Sequence, residues 1–220
     1  MPAISFNDSQ WQSRGDMELQ ISADGESAAL HSRARQDWWR TPPHSEPESD
    51  VDRRTGPTLT RPVTVKRWTA GVWLHVELDE RFKQAALFVH AGEPGTVGAS
   101  WLKLGIEKEG GRENIGCVVT DPFSDWSTSP SPHPMAEHYW LYAQVARVGP
   151  DVHCHWALQR GSADGPPAGV PKESELVQAR EVRGFALSAA EEPWHVGIMA
   201  CGPLSEQTRA TFAHFQLDEQ

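Results

Sequence analysis

The residues of this chain that could do chemistry cluster in one stretch: Trp101, Lys103 and Glu107, followed by Asp125 and Trp126. Glu107 and Asp125 form a candidate carboxylate pair, the kind that cleaves a glycosidic bond with one acid and one nucleophile or base. Lys103 lies on the same strand face as Glu107, so a plain Lys103–Glu107 ion pair competes for that carboxylate. Asp125 beside Trp126 offers an acceptor for ligand hydroxyls next to a ring that can stack on a sugar. A turn held by Asp125, with Trp126 covering a sheet edge, has equal standing. His153-Cys154-His155 sets two imidazoles on one strand face, roughly 7 Å apart. Such a pair can ligate metal, but Gln159 stands where a carboxylate ligand belongs, so no metal is expected and no cofactor is implied. His90 is a third acid–base candidate, because imidazole titrates near neutrality.

Absent motifs narrow the chemistry. The chain has no Gly-x-Ser-x-Gly elbow, Walker loop, dinucleotide fingerprint or His-Glu-x-x-His, which removes the common serine hydrolases, P-loop enzymes, Rossmann dehydrogenases and zincins. Cys117, Cys154 and Cys201 are odd in number and unpaired in spacing, which predicts free thiols. Lys and Arg total 20 against 30 Asp and Glu, a formal net charge of −10. An acidic surface repels phosphate backbones, so nucleic acid is not an expected partner. No basic flank with an apolar run opens the sequence, and no stretch approaches a membrane span. A cytoplasmic protein that neither enters nor coats a membrane is the expectation.

These groups need elements to position them. With 18 Gly and 17 Pro in 220 residues, long helices are excluded and turns are frequent. Period-2 alternation begins at Met17 and becomes regular from Val72. Val72, Leu74 and Val76 oppose Trp73, His75 and Glu77; Leu87 and Val89 oppose Phe88 and His90; Leu102, Leu104 and Ile106 oppose Trp101, Lys103 and Glu107. Gly110-Gly111 then turns into Ile115, Cys117 and Val119, a hairpin signature. Leu141, Ala143 and Val145 oppose Trp140 and Tyr142, and Val152, Cys154 and Trp156 oppose His153 and His155. Residues 41–62, 121–137 and 160–174 read as loops, the first with five prolines. About ten strands with one apolar face each pack most economically as two antiparallel sheets, face to face, in one domain spanning 1–220.

Several segments resemble a concanavalin A-like domain family of unknown function that includes the yeast "regulation of enolase" protein. They are Trp101-Leu102-Lys103-Leu104-Gly105-Ile106-Glu107, the run from Cys117 through Asp125-Trp126-Ser127, Asp37-Trp38-Trp39-Arg40-Thr41, and Trp194-His195-Val196-Gly197-Ile198-Met199-Ala200-Cys201. The resemblance implies a jelly-roll β-sandwich with a concave face. The loops at 41–62 and 160–180 look enlarged relative to that family.

The face turned away from the core is rich in large aromatics beside ionisable groups, which suits a cleft better than open water. The expected site therefore gathers Trp39, Trp73, His75, Trp101, Lys103, Glu107, Asp125, Trp126, Trp140, His153 and His155 in one concave groove for a carbohydrate or similar polyhydroxylated molecule. One alternative is an isomerase, cyclase or hydrolase using Glu107, Asp125 and His90 as acid–base groups. Another, which the resemblance implies, is a regulatory protein-interaction module of carbohydrate metabolism. A further possibility for the aromatics is a second small core under covering loops.

Overall fold

In a computed structural model, which describes residues 1–43, 51–92, 99–162 and 165–220, the alternating segments form sixteen strands, numbered in chain order. One seven-stranded sheet runs β1 (Gln12–Arg14), β6 (Thr58–Val63), β15 (Trp194–Cys201), β8 (Gln84–Ala91), β9 (Ser100–Glu109), β10 (Arg112–Thr120), β11 (Ser124–Pro130). The second runs β14 (Val177–Val182), β13 (Asp151–Arg160), β12 (Tyr139–Val148), β7 (Arg67–Val76), β16 (Thr208–Glu219), β3 (Ser27–Ser32), β2 (Met17–Ile21). A short hairpin of β4 (Trp38–Arg40) and β5 (Asp52–Arg54) belongs to neither. All ladders are antiparallel. This is the all-β, concanavalin A-like sandwich that the alternation and the resemblance imply.

The core lies between the two large sheets, where Leu74, Leu87, Leu104, Ile106, Leu141 and Phe212 are buried. Each such side chain contributes about 1.5–3 kcal/mol by leaving water. Trp156 is only half-buried against this core. Cys117 of β10 and Cys154 of β13 meet across the sheets, Sγ to Sγ 4.0 Å, as free thiols; Cys201 is also free and buried. The β9–β10 turn uses Gly110 and Gly111 at φ 59° and 75°, the left-handed pair that a tight hairpin demands.

Two stretches read as loops contain strands. β5 falls within 41–62, β6 begins there and runs on to Val63, and β11 falls within 121–137. Pro62 is compatible with β6 because β1 pairs no further than Thr60, so the missing N–H faces no neighbour on that side. β14 likewise occupies part of 160–180. Residues 44–50 of the first loop and residues 163–164 lie outside the described residues. No helix among the described residues is long and apolar enough to cross a membrane.

Candidate functional site

The outward side chains of the two sheets point to opposite sides of the sandwich, so the single groove expected from the sequence divides in two. Trp73, His75, Trp140, His153 and His155 stand on β7, β12 and β13 of the second sheet. There Trp73, Trp140, Tyr142, Ala157 and Ala213 form a small outer cluster against which Leu176 packs, and the Trp73 indole donates to the Gly169 carbonyl at 2.8 Å. His75 Nδ1 lies 3.0 Å from the Tyr139 carbonyl. On this side the aromatics are mainly a second core under the chain that precedes β14. His153 and His155 are partly exposed on β13, where burial and the neighbouring His153 lower the pKa of His155. Among the described residues no three His, Cys, Asp or Glu side chains come together as a ligand set.

Trp101, Lys103 and Glu107 lie on β9, on the outer face of the first sheet, and that face carries the candidate site. The β4–β5 hairpin is laid across it like a strap. Trp38 points down from the strap against Phe88 and Trp101, ring centroids 4.9 and 5.3 Å away, and its indole donates to the Gly56 carbonyl at 2.6 Å. Arg40 also points down. Its guanidinium sits 4.9 Å from the Trp101 ring centroid and donates to the Pro122 carbonyl at 3.0 Å. Trp101 is fully buried by this cover, so it supports the site from below and is not a ligand surface. Arg40 is structural for the same reason.

Beside the strap is a cavity of about 310 Å³, at the lower end of the range for small-molecule sites. Trp39 and Trp126 wall it, edge to face with centroids 6.4 Å apart and planes at 85°; Asp37, Gln84, Lys103 and Glu107 supply polar groups. The depth has a local cause. Ala86, Gly105 and Gly116 sit in register across β8, β9 and β10, so a row of minimal side chains forms a floor between Lys103 and Glu107. A Cβ at Gly105 would lie 1.9 Å from the Ala85 carbonyl oxygen, so nothing larger than hydrogen fits. A Cβ at Gly116 would touch both Glu107 Oε1 and Trp126 Nε1 at 3.3 Å, which places those two groups together above the floor.

The electrostatics differ from the expected Lys103–Glu107 pair. Lys103 Nζ lies 3.5 Å from Asp37 Oδ1, both side chains being nearly buried. Asp37 is held from the strap side by the Trp38 amide at 2.8 Å and lies 3.7 Å from the Cys201 thiol. Glu107 is left to its environment. Burial pushes its pKa up to about 7, with Lys103 and Trp126 opposing and Asp37 adding to the rise. A carboxyl poised near neutrality can both donate and accept a proton. Burial, with Asp37 next, pushes the Cys201 thiol well up, so it is no nucleophile.

Two candidates fall outside this cavity. Asp125 pairs with Arg180 at 2.5 Å and is largely exposed. Because 124–130 is a strand, Asp125 and Trp126 face opposite ways and cannot serve one ligand together. His90 is on the same sheet face but beyond Trp38, so it is not an acid–base partner for Glu107. Asp37 and Gln84 are polar groups of this cavity that the sequence reading did not name as site residues, and for Asp37 a signal existed. Its position directly before Trp38-Trp39 in the resembling segment was the available signal.

The description "Protein of unknown function (DUF1349)" belongs to a family whose pattern matches residues 15–220. The chain belongs to the DUF1349 family. No curated protein matches it. A functionally unknown protein from Saccharomyces cerevisiae has a similar structure, with a TM-score of 0.74, 21% identity and 99% coverage of both chains. The GH43 BlXynB protein from Bacillus licheniformis matches with a TM-score of 0.63 and 14% identity, over 98% of this chain but 39% of that one. Lectin I-B4 from Griffonia simplicifolia, in its metal-free form, matches with a TM-score of 0.58 and 9% identity over 99% of each chain. At these identities the likeness concerns the fold, which this DUF1349 member shares with a lectin and with part of a GH43 protein.

Proposed function

We propose that the Glu107 cavity binds a carbohydrate or similar polyhydroxylated small molecule. The observation that carries this reading is the pairing of two tryptophan walls, Trp39 and Trp126, with a polar set of Asp37, Gln84, Lys103 and Glu107 in one cavity. Indole faces cover the apolar C–H surface of a sugar, while carboxylates, an amide and an ammonium match its hydroxyls. The sandwich it shares with a lectin and a GH43 protein supports the same class of ligand. Glycan-array screening followed by calorimetry on the hits tests it. Wild-type protein should bind with saturation, and Trp39→Ala and Glu107→Gln should each lose binding while remaining folded. Binding that survives both substitutions would refute the assignment.

One observation favours catalysis in addition. Glu107 is buried at the edge of the cavity with its pKa pushed up to about 7, the condition of a general acid or base. Incubating bound sugars with stoichiometric protein and following them by proton NMR separates the two readings. Conversion that stops in Glu107→Gln would make the protein an enzyme, and unchanged ligand would leave it a binding domain.

A further inference from the structure

A second cavity, of about 480 Å³, opens on the same sheet face on the other side of Trp38. Arg14, Thr58, Thr60, His90 and His195 line it together with the Trp38 ring. In a chain of formal net charge −10, no Asp or Glu among the described residues lines this space. Arg14 makes no ion pair among the described residues, and its guanidinium lies 5.9 Å from the Trp38 ring centroid. His90 is 1% exposed, and neither ring nitrogen has a hydrogen-bond partner of full geometry, the Gly92 backbone being the polar group that bears on the ring. A buried polar group left in that condition is expensive, and a ligand in the cavity would complete its bonding. His195 stands directly opposite His90 in the β8–β15 ladder.

The sign and size of the charge narrow the ligand. Burial is the main cause holding His90 at about 4, opposed by the Gly92 backbone and aided by the positive fields of His195, Arg14 and Arg54. His90 is therefore neutral at pH 7 and offers one N–H donor. The pocket's one permanent charge is then the Arg14 guanidinium, beside hydroxyl donors from Thr58 and Thr60. A cation would be repelled by Arg14, which removes the reading of His90 and His195 as a metal pair. A dianionic phosphate would carry more charge than one guanidinium neutralises. A carboxylate matches in both charge and shape, since guanidinium grips it through two parallel N–H bonds.

We propose that this cavity binds a small organic carboxylate, gripped by Arg14 with Thr58, Thr60 and His90 as further donors. The inference is independent of the sugar reading of the Glu107 cavity, because no residue of that reading lines this space.

The test titrates the full chain with acetate, lactate and benzoate, and separately with inorganic phosphate, at constant ionic strength. Calorimetry reads affinity, and NMR reads the His90 ring C–H signals. The expected result is saturable binding of at least one carboxylate that shifts the His90 ring. Affinity should fall at least tenfold in Arg14→Gln and be partly recovered in Arg14→Lys. Arg14 is half-buried on a short outer strand, so both variants should fold, which thermal melts check. Absence of saturable carboxylate binding would overturn the proposal. So would binding indifferent to Arg14→Gln, or tighter binding of phosphate than of any carboxylate.

Discussion

Replacing Glu107 with Gln should make the protein more stable at alkaline pH and leave it unchanged at acid pH. The folded protein holds the Glu107 proton up to about pH 7, because burial disfavours the charge, whereas the ordinary glutamate value is 4.5. Below 4.5 both folded and unfolded chains carry the proton, and the group has no effect on stability. Between 4.5 and about 7 the unfolded chain has released the proton and the folded one has not. Unfolding then liberates a proton, and stability falls as pH rises. Above about 7 both states are ionised and the loss is complete. The gap from 4.5 to about 7, at about 1.4 kcal/mol per pH unit, amounts to about 3.5 kcal/mol. Glutamine fills the same space with no charge to bury, so it escapes that loss. Urea unfolding of both proteins from pH 4.5 to 8.5 isolates the effect, since other titrations cancel in the difference. Glu107→Gln should gain stability progressively to about 3.5 kcal/mol, equivalent to about 7–14 °C in Tm for a chain of this size. A difference that is flat across this range, or that favours wild type at pH 8, would refute the assignment of a buried, near-neutral Glu107.

Trp39→Ala and Trp101→Ala should separate the wall of the site from its support. Trp101 is buried and should cost about 3–5 kcal/mol on truncation, whereas the half-exposed Trp39 should abolish sugar binding with a small change in melting temperature. Gly105→Ala has no space beside the Ala85 carbonyl, so it should fail to accumulate as folded protein, as judged by soluble yield and near-ultraviolet circular dichroism. Counting thiols in denatured protein without reductant should return all three cysteines; a missing pair would show that Cys117 and Cys154 have bridged.

The separation of Leu102, Leu104 and Ile106 from Lys103 and Glu107 was legible because period 2 is a property of one strand and its pleat. Sheet membership is not such a property. β7 ends at Val76 and β8 begins at Gln84, a spacing that looks like a hairpin, yet the two strands lie in different sheets. That crossover puts Trp73 and His75 on the opposite side of the molecule from Trp101 and Glu107. The strap was obscured by composition, since its strands are three residues long and flank a proline-rich stretch. Asp37 was hidden for a related reason. Its role comes from a contact with Lys103 that spans 66 residues of chain and is created only when the strap docks. The floor of Ala86, Gly105 and Gly116 depends on the register of three strands, which no single segment encodes.

The strap has a consequence for motion. No described residue between 31 and 58 joins the apolar cluster between the sheets, and among the described residues β4 and β5 pair with each other alone. The strap is fastened to the sandwich by the Trp38 ring, by Arg40 and Arg54 over Trp101, by the Trp39–Trp126 contact and by the bonds of Asp37, so opening it would break these contacts and leave the core between the sheets intact. Lifting would withdraw Asp37 and Trp39 from one cavity and Trp38 from the other in a single movement. It would also wet Glu107 and His90 together, returning both toward their ordinary titration. Occupancy of either pocket would favour the closed strap and so tighten its neighbour, a coupling that operates through a shared lid without any change in the sheets beneath.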